Sequence, residues 1–265
     1  PHLVLGAEDD PAGPFVRIDA VRHGPGGGVL VLDAGRRELL RFDAKGNALG
    51  RTGRLGRGPG EFVRPRLLKS PWRDSLFVFD PDLARVTVYT TELDLVRVEP
   101  MPSPGGTRFM PTGAVAGGWI GEDRMFNGVT IEAAMMQEGS VEESTAVRLH
   151  DRDGHYRVTL SSTSALRWVV SEAFGRRGEM GHLPIRLVPH APSMSWAVEA
   201  DRVLVSDGHA FEIRVVKLDG EPDRILRIDS RPDPMRPEML EAWVRREAGV
   251  PEDAPVGPER MATYD

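Results

Sequence analysis

At 265 residues, with a hydrophobic share of 40% and no cysteine, the chain is long enough to bury one large core or two smaller ones, which excludes a disordered class, a disulfide framework and a thiolate metal site. A net charge of −6 gives no cationic field for a phosphate backbone, so nucleic acid is not expected as a partner. Apolar runs of about five residues fall short of the roughly 20 that span a bilayer, so no transmembrane segment is expected, and 29 glycines with 22 prolines favour tight turns over long helices.

In chain order, residues 1–15 hold a short strand at HLVLG. GGVLVLDAGRRELLRFDAKG (27–46) then superposes on SLFVFDPDLARVTVYTTELD (75–94) with one constant offset, so that Asp33 lands on Asp80, Leu39 on Val86 and Phe42 on Tyr89. DRVLVSDGHAFEIRVVKLDG (201–220) is a third copy, with Asp207, Ile213 and Val216 in register. Each copy reads as strand, hairpin, strand, turn. The first strand of each copy is apolar without alternation, which predicts cover on both faces. Asp33, Asp80 and Asp207 are expected to accept backbone hydrogen bonds at their hairpins.

Between the second and third copies lies a degenerate unit. AVRLHDRDGHYRVTL (146–160) repeats the closing turn at Asp151 to Gly154, and Gly175 and Gly178 of FGRRGEMGHLP (174–184) echo Gly53 and Gly56. Its excess length, residues 121–143, reads as an insertion between strands. After the last copy, residues 235–251 predict one helix: Pro237 suits its first position, Met239, Leu240, Trp243 and Val244 form a stripe, and Gly249 and Pro251 stop it. That helix is expected to pack on a rim.

A period of about 45 residues built from four strands fits the blade of a β-propeller. The Asp-X4-Arg-Val/Ile motif of DPDLARV (Asp80, Arg85, Val86), its variants DAGRREL and DGHAFEI, and the Gly-X-X-Gly-X-Gly-Pro-Gly-Glu-Phe-X-X-Pro stretch of 53–65 resemble the NHL-like six-bladed β-propeller proteins of bacteria. The resemblance spans roughly residues 16–230. It implies an all-β fold of four-stranded antiparallel blades, four of six being visible: 16–65, 66–111, 112–185 with the insertion, and 186–234, with 252–265 beginning another. It also implies that the chain is a truncated piece, that an open arc of this kind is prone to aggregate, and that the protein works outside the cytoplasm. Glu38 and Glu212 stand where those repeats carry Arg, so no Asp-to-Arg tie is expected in the first and fourth units.

Gly53, Gly56, Gly58 and Gly60 sit in a segment that a phosphate loop would follow with Gly-Lys-Ser/Thr and a helix; Glu61-Phe62-Val63-Arg64-Pro65 follows instead. In the resembled family this segment crosses from the outer strand of one blade to the inner strand of the next. Lactonases and lyases of related fold hold calcium or zinc at the channel mouth, but the positions matching His23 are Ser70 and Ala197, a poor ligand set. His150, His155, His209, His182 and His190 lie at turns or crossings and read as loop histidines. A non-catalytic binding scaffold with no cofactor is therefore expected, taking a protein, peptide or glycan; the alternative is a metal-dependent lactonase or lyase. The binding guess falls on the third unit, at Trp119, Glu122, Asp123, Met125 and Phe126, ahead of Met135 and Met136.

Overall fold

A computed structural model describes residues 5–6, 13–101, 110–126, 139–170, 185–187, 193–229 and 236–247. The fold is all-β, in blades of the propeller kind. The first sheet runs β1 (Ile18–His23), β2 (Val29–Asp33), β3 (Glu38–Phe42), β4 (Ala48–Thr52), and the second β5 (Arg66–Leu67), β6 (Ser75–Asp80), β7 (Arg85–Thr90), β8 (Leu95–Pro100). The third holds β9 (Pro111–Val115), β10 (Gly118–Phe126), β11 (Gly139–Asp151) and β12 (Tyr156–Val170), with β13 (Ile185–Leu187) added on the far side of β12. The fourth is β14 (Ser195–Glu199), β15 (Arg202–Ser206), β16 (Glu212–Lys217), β17 (Pro222–Arg227). Helix α1 covers Pro237–Glu247; within it Arg245 pairs with Glu241 at 2.7 Å, while the side chains of Leu240, Trp243 and Val244, like residues 252–265, lie outside the described ones.

Two compact units divide the chain: Pro1–Gly121, Leu149–Val158 and Val198–Asp201 form one, and Glu122–Arg148, Thr159–Ala197 and Arg202–Asp265 the other. In the first, the repeat register decides what each apolar residue touches. Leu30, Leu32 and Leu39 on one face of blade 1 pack against Leu76, Val78 and Tyr89 of blade 2, with Phe62 of the crossing wedged between them. The opposite face of blade 2, made of Phe77, Phe79, Val86 and Val88, packs on Ala114 and Trp119 of the third sheet. Blade 1's remaining face, Val31, Leu40 and Phe42, is covered by Leu5 and Phe15. Both faces of β2 and β6 are thus closed, which explains their unbroken apolar runs; each fully buried Leu, Val or Phe contributes about 1.5–3 kcal/mol.

The fourth blade departs from that expectation. Val203, Val205 and Val216 on one face are buried; on the other, Val215 is buried and Leu204 half-buried, but Ile213 is 40% exposed. Cover on the second face, which the sequence predicts for Val203-Leu204-Val205, is therefore only partial.

Two of the recurrent aspartates, Asp33 and Asp80, fix their blades to the entering chain. The buried Asp33 carboxylate accepts the N–H groups of Gly35 and Arg36 in its own hairpin, at 2.9 and 3.0 Å, and those of Val16 and Arg17 in the chain entering the blade, at 2.8 and 3.0 Å. Asp80 does the same one repeat later, with Asp82 and Leu83 at 3.0 and 3.2 Å and with Val63 and Arg64 at 2.7 and 2.9 Å. Asp207 accepts from His209 N–H at 3.0 Å and pairs with Arg214 at 2.7 Å. The fourth unit therefore has an Asp-to-Arg tie after all, supplied two residues past Glu212. Arg85 of blade 2 instead donates to the carbonyls of Arg57, Gly58 and Glu61, bracing the crossing.

Two results are expected. Burial acts to raise the Asp33 carboxyl, but the N–H groups of Val16, Arg17, Arg36 and Gly35 outweigh it and hold it below its ordinary value. Its contribution is then complete above the unfolded-state pKa of about 3.9 and is lost as pH falls through the lower folded value, so Asp33→Asn flattens the acid limb of stability, read by denaturant titration across pH 2–6. Arg37 and Ala84 occupy the same hairpin position with φ of 60° and 48°. Ala84 is exposed, so Ala84→Gly removes left-handed strain with little loss of packing and raises stability by about 1 kcal/mol in urea unfolding.

Candidate functional site

The glycine-rich stretch joins β4 to β5, as a blade crossing. Gly53 and Gly60 have φ of 97° and 74°, values that side chains rarely tolerate. Gly56 is required for room: a Cβ there would stand 2.1 Å from Oε2 of Glu61, and one at Gly58 would stand 3.0 Å from the same atom. Glu61 is the hub of the loop, accepting Gly58 N–H at 2.7 Å and pairing with Arg54 at 2.7 Å. Those two partners, Gly58 first, hold its carboxyl below the ordinary value. The amides of Gly56, Gly58, Glu61 and Phe62 bond within the loop, to Phe62 O, the Glu61 carboxylate, Gly58 O and Arg54 O, and are not offered to a phosphate. Nearby, Tyr89 lies within the core, and burial pushes its hydroxyl up to about 12.

Asp151, Asp153 and His155 bring three ligand-type atoms within 4.8 Å of one another, the cluster among the described residues most open to being taken for a metal site. Its geometry has another cause. Asp151 Oδ1 accepts the N–H groups of Asp153 and His155 at 3.0 and 2.9 Å, and Oδ2 pairs with Arg157 at 3.1 Å. Asp43 builds the same turn in blade 1, accepting from Lys45 and Asn47 at 2.8 and 2.9 Å. The His155 N–H, with Arg157 assisting, keeps the Asp151 carboxyl below its ordinary value. His150 faces the turn through Nδ1, 3.1 Å from Gly154 O, with its ring edge-on to Tyr156; His209 donates its backbone N–H to Asp207. His182 and His190 lie outside the described residues, as do Gly175 and Gly178.

The third sheet distributes its expected binding residues unevenly. Trp119 is 1% exposed and sits in the core with Phe77 and Phe79. The Arg152 guanidinium lies 4.5 Å above its ring and pairs with Glu99 at 3.4 Å, and the indole N–H donates to Arg152 O at 3.4 Å. That arrangement closes Trp119 off from solvent. Glu122 is half-buried and accepts the Trp196 indole N–H, and Asp123 pairs with Arg148. On β11, Glu143 is buried and accepts the Thr145 hydroxyl at 3.0 Å. The side chains of Met125 and Phe126, and all of Met135 and Met136, lie outside the described ones.

Residues 121–126 and 139–143, read from sequence as insertion, are the ends of β10 and β11. With β12, these strands run to 9, 13 and 15 residues, whereas β2 and β3 have 5 and β6 and β7 have 6. The excess is drawn out as long hairpin strands with Glu122 and Asp123 on β10. Trp196 and Arg152 were missed by sequence reasoning, and no local signal marks them, because each meets its partner across separate strands.

No protein-family profile matches the chain, and no curated protein matches it. Among solved structures, a Bacteroides fragilis protein named as exported is similar over 83% of this chain and 73% of its own, at 10% identity and a TM-score of 0.41. A catalytically inactive virginiamycin B lyase of Staphylococcus aureus, solved with quinupristin, is similar over 80% of this chain and 56% of its own, at 11% identity and a TM-score of 0.35. Dihydro-heme d1 dehydrogenase follows with 83% and 39% coverage, 12% identity and a TM-score of 0.36. Likenesses of this size bear on neither activity nor ligand. Among the described residues no helix is long and apolar enough to cross a membrane.

If the Asp151 cluster is a turn, Asp151→Asn lowers the melting temperature, because the amide accepts more weakly and loses the Arg157 pairing. Added calcium or zinc at millimolar concentration then leaves the melting temperature of both proteins unchanged in differential scanning fluorimetry.

Proposed function

We propose that this chain is a non-catalytic binding scaffold of the NHL-like six-bladed kind, acting outside the cytoplasm on a protein, peptide or glycan. The observation that carries this reading is the lengthening of β10, β11 and β12 in one sheet, while the hairpin strands of the neighbouring blades keep to 5 or 6 residues. A sheet with one extended hairpin is the arrangement in which binding is grafted onto a scaffold. Glu122 and Asp123 on β10 are the proposed polar contacts, with Met125 and Phe126 further along the strand as apolar ones.

The carboxylates that might otherwise suggest catalysis have structural employment. Asp33 and Asp80 each bind four backbone N–H groups, and Asp151 closes a turn. A catalytic acid or base needs a lone pair or proton free to face a substrate.

The test replaces Glu122, Asp123, Met125 and Phe126 on β10 by alanine together. The expected result is an unchanged fold by circular dichroism with loss of binding on a glycan array or a displayed-peptide panel. Elemental mass spectrometry of the dialysed protein decides against the scaffold if it finds about one calcium or zinc per chain, the ratio a channel-mouth lactonase or lyase requires.

A further inference from the structure

Three buried polar atoms on β7 have no hydrogen-bond partner among the described residues: Arg85 Nε, Thr87 Oγ1 and Tyr89 Oη. They belong to alternate residues of the strand and so share the side that faces blade 1, where Tyr89 packs with Leu30, Leu32, Leu39 and Phe62. Thr87 and Tyr89 are 1% and 0% exposed. A hydroxyl so deeply buried costs stability unless another group answers it.

The three groups also converge on one segment. The Tyr89 ring lies 6.2 Å from that of Phe62 in the glycine-rich crossing, and its hydroxyl is what a Cβ on Gly60 would meet, at 3.4 Å. Beyond the chain neighbours of Gly60, no other atom of the described residues comes within 4 Å of that point. The Arg85 guanidinium reaches the same crossing, donating to the carbonyls of Gly58 and Glu61 at 2.6 and 2.9 Å. Burial pushes the Tyr89 hydroxyl up to about 12, and the charge of Arg85 is near enough to act against it.

The repeat itself does not require these groups. At the matching positions blade 1 has Glu38, Leu40 and Phe42, and Phe42 meets Phe15 at the same 6.2 Å that separates Tyr89 from Phe62. The same packing is therefore made in blade 1 without either hydroxyl. We infer that blade 2 has a binding site for ordered water beneath the crossing, between Tyr89 Oη and Arg85 Nε, with Thr87 Oγ1 as the third partner. Water there accepts from the Arg85 Nε–H and the Tyr89 O–H and donates to Thr87 Oγ1, three bonds being usual for a buried water. The site ties the crossing to β7 through solvent and is independent of the ligand proposed above.

Thr87→Val and Tyr89→Phe each remove one hydroxyl and keep the shape of the side chain, and Tyr89→Phe copies blade 1. With water in the site, each substitution lowers the melting temperature by about 2–4 °C, and the double variant loses less than the sum, because both hydroxyls act through one solvent network. Oxygen-17 magnetic relaxation dispersion, which counts long-lived internal waters, gives about one fewer in the double variant than in the parent. A melting temperature that rises or stays level in either single variant overturns the inference, since an unanswered hydroxyl is better removed. An unchanged water count overturns it as well, because the hydroxyls would then be answered by protein.

Discussion

In blades 1 and 2 one buried carboxylate, Asp33 or Asp80, accepts backbone N–H groups from two stretches of chain, and the placing of those blades depends on it. In blades 1 and 2 the donors fall in pairs, two from the hairpin that carries the aspartate and two from the segment entering the blade. A hairpin alone is a local structure, and a crossing alone is a loop with unsatisfied amides. Joining them through one acceptor fixes where the chain enters each blade, and hence where Phe62 falls between two blades.

That constraint also explains why the glycine-rich crossing looks so much like a ligand loop. Its glycines bring backbone amides and a carboxylate close together, as a phosphate site would, but the carboxylate is Glu61 of the chain itself and the cation that braces the loop is Arg85. The same economy applies at Asp151, where a turn assembles ligand-type atoms without a ligand being needed. The proposed binding then falls to what the repeat does not require, the long hairpin of the third sheet.

Much of this was legible in the sequence because the repeat supplies its own internal comparison. Asp33, Asp80 and Asp207 could be assigned to hairpins, and residues 53–65 to a crossing, from spacing and turn chemistry alone. Three things were not legible. Period-two patterning tells which side chains share a face but not how fully that face is covered, so Val203-Leu204-Val205 was expected to be covered on both faces although Leu204 is only half-buried and Ile213 on its face is exposed. The form of the extra segment was not legible, because residues 121–126 and 139–143 fail to resemble the other copies while still forming strands. The roles of Trp196, Arg152 and Arg85 depend on partners distant along the chain, which a local reading does not reach.

Leu93 bears on how freely such blades could be exchanged. Gly46, Gly154 and Gly220 occupy its place in the other closing turns, with φ of 89°, 81° and 90°, and Leu93 keeps the same left-handed backbone at 74°. In return its side chain enters the core shared by blades 1 and 2. The turn of the second blade is therefore held by its neighbour's leucines rather than by its own backbone preference. Transplanted beside any other blade, it would keep the strain and lose the burial, so the order of these repeats is written into a turn residue as firmly as into their faces.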